Sequence, residues 1–218
     1  MKWIAVYIIL LLPFCGYGQV YYTDLDNAAA ALKQNDFYKY HYWIQEADKD
    51  YRKNPNWCGN GQEAYYDYVT LLDAVLKDKI SNVDGAIETL MPLAVNRGLM
   101  GENIYIIDTL KKIARHKYSN EQVKDEIKKA VDNIRPSLVL EESKLMINIF
   151  GKDYQLNALY GEEYYFLKDK IDGYAFQDLL PHNLIVLLLT MPIPAYQQQA
   201  LVIEYMKSTR FYKTMMAD

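Results

Sequence analysis

Three kinds of side chain in this sequence have the chemistry for catalysis or metal binding, and their spacing limits each of them. Cys58 stands in the stretch NPNWCGNGQEAYYDY, residues 54–68, between a tryptophan and two glycines. A nucleophilic thiol needs a lowered pKa, from a helix N-terminus or a nearby histidine, and a base within hydrogen-bond reach. Cys58 precedes a helix expected to start near Gln62, but His41, His116 and His182 are scattered along the chain. We therefore read Cys58 as part of a connector, with Trp57 packing the loop and Gly59 and Gly61 allowing a tight turn; a cysteine-dependent hydrolase using Cys58 is the alternative. Histidines and cysteines grouped at metal-ligand spacing are missing from the sequence. The doublets Glu141-Glu142 and Glu162-Glu163 have the groups for acid–base work, yet among 28 acidic residues such pairs arise by chance and face water. No glycine-rich phosphate loop occurs. The expectation is a protein without cofactor, metal site or catalytic residues, and not an enzyme.

The elements that must position these residues begin after a distinctive N-terminus. In MKWIAVYIILLLPFCGYGQVYY, Lys2 is followed by an apolar run from Trp3 to Phe14 and then by small residues. That is the layout of a secretory signal peptide, and the run is shorter than the ~20 residues a membrane-crossing helix needs. Cleavage after Gly18 would place Gly16 and Gly18 at the small-residue positions and leave Gln19 as the new N-terminus. Lipidation at Cys15 is the second reading, set back by Phe14 and Pro13 before it. The expected location is exported, periplasmic or extracellular, with a membrane-anchored lipoprotein as the variant. In either case Cys58 has no intramolecular disulfide partner. No transmembrane helix is expected once the signal is removed. Loss of Lys2 takes the basic count from 24 to 23 against 28 acidic residues, a net charge of −5. With no clustered basic face in the sequence, nucleic acid is disfavoured. Lys124, Lys128 and Lys129 are diluted by Asp125 and Glu126 and read as a solvated helix face.

Hydrophobic spacing organises the rest. Leu25, Ala28, Ala29 and Leu32 recur at three and four before Asn35-Asp36, and Phe37, Tyr40, Ile44, Ala47 and Tyr51 follow them. Tyr65, Tyr68, Leu72, Val75 and Leu76 lead to a break near Ser81-Asn82, beyond which come Val83, Ala86, Ile87, Leu90 and Ala94. A third pair has Ile104, Ile107, Leu110 and Ala114, then Val123, Ile127, Ala130, Val131 and Ile134 before Pro136. Each segment presents an apolar stripe that needs a neighbour to cover it. Ser119, which precedes Glu121 and Gln122, is placed to cap the sixth helix. The predicted fold class is all-α: stacked antiparallel helical hairpins, α-solenoid-like, over residues 19–136, with a C-terminal helical subdomain over residues 137–218 packed on them. From Ser137 to Phe150 the good helix formers Glu141, Glu142, Lys144 and Met146 favour helix. Leu145, Ile147 and Ile149 also alternate as a strand would, with a turn at Gly151-Lys152-Asp153, so the alternative is an α+β fold with a short hairpin near residues 145–156. Leu156, Tyr160, Tyr164, Leu167 and Ile171 make a further stripe, Leu184–Leu189 reads as a centre-of-core segment, and Tyr196, Ala200, Ile203 and Met206 suggest a final helix.

The run ALKQNDFYKYHYWIQEADKDYRKNP resembles the join between the two helices of a tetratricopeptide repeat, with Asn35-Asp36-Phe37 at the turn, Ala47 in the small position and Pro55 past the end. NVDGAIETLMPLA, residues 82–94, is similar to the start of another second helix, with Ala86 in the small position. Tyr40 stands where that family prefers alanine, and the two candidate repeats lie 46 residues apart where the family keeps 34. The resemblance implies a helical-hairpin array that holds a protein or peptide.

Tyrosine is abundant, with 21 in the chain, and suits positions that are half buried or at protein interfaces. Tyr66 lies off the stripe of Tyr65 and Tyr68, and Tyr38, Tyr42 and Trp43 include residues off the stripe of Phe37, Tyr40 and Ile44. These four are the candidate partner-binding residues. The function this supports is an exported protein-binding module in the cell envelope, one specific form being an immunity or inhibitor protein.

Overall fold

A computed structural model describes residues 20–53, 61–99, 104–139, 142–156 and 194–218. Cys15 and the segment read as a signal peptide, Cys58 with Trp57 and Gly59, the stripe from Tyr160 to Ile171, and Leu184–Leu189 all lie outside the described residues. The described chain is mainly helical: α1 (Val20–Lys33), α2 (Phe37–Lys53), α3 (Gly61–Lys79), α4 (Val83–Leu99), α5 (Ile104–Ala114), α6 (Asn120–Asp132), α7 (Ala195–Ser208) and α8 (Arg210–Met216), with strands β1 (Arg135–Val139), β2 (Glu142–Ile149) and β3 (Lys152–Leu156) between α6 and α7. It divides into two compact units, one reaching to Ala86 and the other starting at Ile87.

In the first unit α1 packs closely along α2 and also meets α3. Its core gathers Leu25, Ala28, Leu32, Ala47 and Leu72 around the buried rings of Tyr21, Tyr40, Tyr51 and Tyr65. The stripes read from spacing are therefore the packed faces. Tyr51 and Tyr65 stack in parallel at 4.0 Å, and Tyr21 meets each of them edge-on at 5.5 Å. Tyr68, expected in the core, is only partly buried, because its hydroxyl donates to Asp26 Oδ1 at 2.7 Å. The turn between α1 and α2 ends on Asn35 at φ 59°, and the turn between α3 and α4 on Ser81 at φ 64°. In both, the residue after the left-handed one bonds back five positions, Asp36 N–H to Ala31 O and Asn82 N–H to Lys77 O, closing a helix C-cap of the Schellman type. Asp36 and Asn82 then accept the N–H of Lys39 and Gly85 at 3.1 and 3.0 Å, capping the next helix. A Cβ at Gly85 would lie 2.4 Å from the Asn82 side-chain nitrogen, so a larger residue there would require the capping side chain to shift.

In the second unit Ser119 caps α6 as expected, in a reciprocal pair with Gln122: each side chain accepts the other's backbone N–H. The helix expected over Ser137–Phe150 is replaced by β1 and β2, and the hairpin near 145–156 is present as β2–β3 in an antiparallel sheet of order β1-β2-β3. Ile147 and Ile149 are fully buried and Asn148 between them is exposed, the two-residue period of a strand with one covered face. β2 packs against α6, whose Val123, Ile127, Ala130 and Val131 are buried. Burial of the alternate residues Ile147 and Ile149 outweighs the helix propensity of the residues before them in the sequence. The turn falls on Phe150-Gly151, one position earlier than expected, with both φ positive at 52° and 75°, as a type I′ hairpin requires. Phe150 is held there by its N–H donating to Glu126 Oε1 at 2.7 Å and by stacking on Tyr118 at 4.5 Å.

The final helical region is present, but with a different buried face. Gln198, Val202, Tyr205 and Met206 are covered on α7, while Tyr196 and Ala200 are exposed. The short α8, capped by Thr209 accepting the Tyr212 N–H, was not expected and packs on α5 and α6 through a face with buried Phe211 and Met215. Among the described residues no helix is long and apolar enough to cross a membrane.

Candidate functional site

α2 is amphipathic, and its turns dictate which rings reach water. Tyr40, Ala47 and Tyr51 point into the core, with Phe37, Trp43 and Ile44 packed partly buried along its margin. Tyr38 and Tyr42, one turn apart, are left on the opposite side, 86% and 50% exposed. The Tyr42 ring meets Trp43 edge-on at 5.0 Å, so Trp43 connects the exposed strip to the core behind it. Tyr66 on α3 is 52% exposed and leans on Tyr65 at 5.4 Å and Tyr51 at 5.9 Å.

The structure thus brings Tyr38, Tyr42 and Trp43 together and sets Tyr66 apart. Tyr51 lies half a turn around α2 from Tyr42 and about 13 Å further along its axis, at ~1.5 Å per residue. Tyr66, which touches Tyr51, is a second exposed aromatic position rather than an extension of the first.

The charges of α2 cancel locally. Lys39 pairs with Asp36, Lys49 with Glu46, Arg52 with Asp48 and Lys53 with Asp50, at 2.8–3.1 Å. Exposed pairs like these add little stability, but they leave no unbalanced cation on the helix for a polyanion. A neighbouring N–H from Lys39 holds the Asp36 carboxyl below its usual range, and the bond to Glu46 holds the Lys49 ammonium above its own. What α2 offers a partner is aromatic surface with hydroxyl tips.

Comparison with protein-family models, with curated proteins and with solved structures finds no match. Function here rests on the chemistry of the surface alone.

Among the described residues no group of three histidine, cysteine, aspartate or glutamate side chains is placed to hold a metal ion. His41 is exposed beside Tyr40 at 5.2 Å, and His116 is exposed in the turn after α5. Two of the three lysines read as a solvated face on α6 are engaged: Lys124 with Asp218, and Lys128 with Asp132 at 3.0 Å. Spacing gave no sign of Lys111, which is buried with its ammonium on the carbonyls of Thr214 and Ala217. Those partners lie more than a hundred residues away along the chain.

Proposed function

We propose that the chain is an exported protein-binding module of the cell envelope, built as helical hairpins of the tetratricopeptide kind, that engages a protein or peptide through Tyr38, Tyr42 and Trp43, with Tyr66 as a separate second contact. The observation that carries this reading is the strip of exposed rings on a charge-balanced helix. Tyrosine and tryptophan supply large contact area at low entropic cost, and such residues dominate binding energy at interfaces. The paired ions of α2 favour neutral, apolar side chains on the partner over nucleic acid. An immunity or inhibitor role is the specific form we propose, because that work needs a tight surface and no catalytic group.

The test replaces Tyr42 with a photo-crosslinking residue in native envelope, identifies the captured protein, and measures its affinity for purified variants. Tyr42→Ala is expected to weaken binding by roughly thirtyfold, the ~2 kcal/mol cost of truncating an aromatic anchor, with an unchanged melting temperature. Tyr66→Ala is expected to cost affinity independently, and Cys58→Ser to leave it intact. Unaltered affinity in both tyrosine variants would sink the assignment; loss of a hydrolytic activity in Cys58→Ser would establish the thiol enzyme instead.

A further inference from the structure

A depression of about 370 Å³ lies between α5 and α8 in the second unit, and its wall is rich in unbalanced positive charge. Lys111, Lys112, Arg115 and Lys213 line it, against the carboxylates of Asp108 and Asp218. Asp218 is already paired with Lys124. Arg115 directs its Nε and one terminal nitrogen at a neutral acceptor, Asn120 Oδ1, at 3.2 and 2.5 Å. The side chains of Lys112 and Lys213 make no hydrogen bond or ion pair among the described residues.

Lys111 is the most constrained of the four. It is 6% exposed, and its ammonium donates to the carbonyl oxygens of Thr214, at 2.9 Å, and Ala217. These bonds cap the end of α8, as a lysine near a helix C-terminus does. They use two of three donors, and no carboxylate among the described residues forms an ion pair with it. Burial disfavours the Lys111 ammonium, and the cations Arg115 and Lys124 add to that, while the carboxylates of Asp108 and Asp218 offset it without pairing directly. Capping explains Lys111 but not why Lys112, Arg115 and Lys213 share its wall. A tetrahedral dianion answers both features: it would accept the remaining donor of Lys111, the free nitrogen of the Arg115 fork and the two flexible lysines.

We propose that this depression is an oxyanion site for a phosphate monoester, held by Lys111, Lys112, Arg115 and Lys213. The site is independent of the aromatic strip on α2. The volume suits a phosphate with a small organic substituent, since ligand pockets begin near ~300 Å³.

The experiment titrates the full chain with inorganic phosphate at constant ionic strength, with acetate in parallel, and with vesicles of phosphatidylcholine with and without phosphatidic acid. Saturable binding of phosphate, unmatched by acetate, is expected. The double variant Lys112→Ala, Lys213→Ala should bind at least tenfold more weakly, at the scale of one lost charge-assisted bond, and melt as the parent does because both side chains are exposed. Lys111→Met tests the buried donor, and its binding is read only where its melting temperature shows a folded chain. Binding of free phosphate assigns a soluble ligand, and capture only by vesicles carrying phosphatidic acid assigns a lipid headgroup. Either supports the site. No binding to either probe, equal response to acetate, or unchanged affinity in the double variant overturns it.

Discussion

Asp24 shows what a single side chain reveals in this molecule. It is buried on α1, a place where carboxylates are rarely left. Burial raises its pKa above the ordinary value, and the neighbouring Asp50 and Glu46 raise it further. The folded state therefore favours the protonated form. That contribution is fully present below the ordinary carboxylate range and is lost as pH rises through the raised folded-state pKa. Asp24→Asn, which keeps the shape and removes the charge, is expected to raise the melting temperature at neutral pH and to lose that advantage in acid. A melting temperature lowered at neutral pH would mean that the charge is used. Residues of this kind are partly legible in sequence. The candidate binding residues Tyr38, Tyr42 and Tyr66 were identifiable as rings off an apolar stripe, because helical phase alone puts them outside. The burial of Asp24 and Lys111 was not, because it depends on which distant segments close over them.

At the scale of elements, the two Schellman turns explain why α1 to α4 were legible. Asn35-Asp36 and Ser81-Asn82 combine a residue in the left-handed region with one that caps the next helix, and both residue types advertise this in sequence. The two positions are not equivalent. Asparagine tolerates the left-handed region, and Asn35 Oδ1 also accepts from Lys79 Nζ at 2.8 Å; serine has less reason to be there. Ser81→Gly is expected to stabilise by about 0.5–1 kcal/mol, the relief of left-handed strain outweighing the added chain entropy. Asn35→Gly should give no gain. Equal effects in chemical denaturation would remove the distinction. The sheet was less legible for an equally physical reason: the sequence of β2 carries the helix formers Glu142, Lys144 and Met146, and the burial of Ile147 and Ile149 selects the extended form. On α7 the stripe was misphased because Gln198 is buried while Tyr196 is 70% exposed.

For the whole molecule, the unequal use of tyrosine sets a vulnerability at high pH. In the first unit Tyr22, Tyr40 and Tyr65 are each pushed up to about 12, burial being the largest cause in every case. In the second, Tyr154 is pushed to about 12 by burial and by Glu88. A raised folded-state pKa leaves stability intact below the ordinary value of 10.0 and removes it as pH climbs towards 12. Ionisation of these buried and partly buried phenols, followed by tyrosinate absorbance, should therefore coincide with loss of the helical circular dichroism signal. Complete ionisation with the helical signal intact would contradict the burial described for them. The parallel stack of Tyr51 on Tyr65 has a further consequence for the same unit. Because these two rings meet, Tyr51 near the end of α2 and Tyr65 near the start of α3 are held side by side as an aromatic clasp. Closing a longer loop across a fixed gap costs only about 0.6 kcal/mol for each doubling of length. The clasp is thus a natural port for grafting: an epitope or a small domain spliced between residues 54 and 60 would be carried by the fold without disturbing the rings that hold it shut.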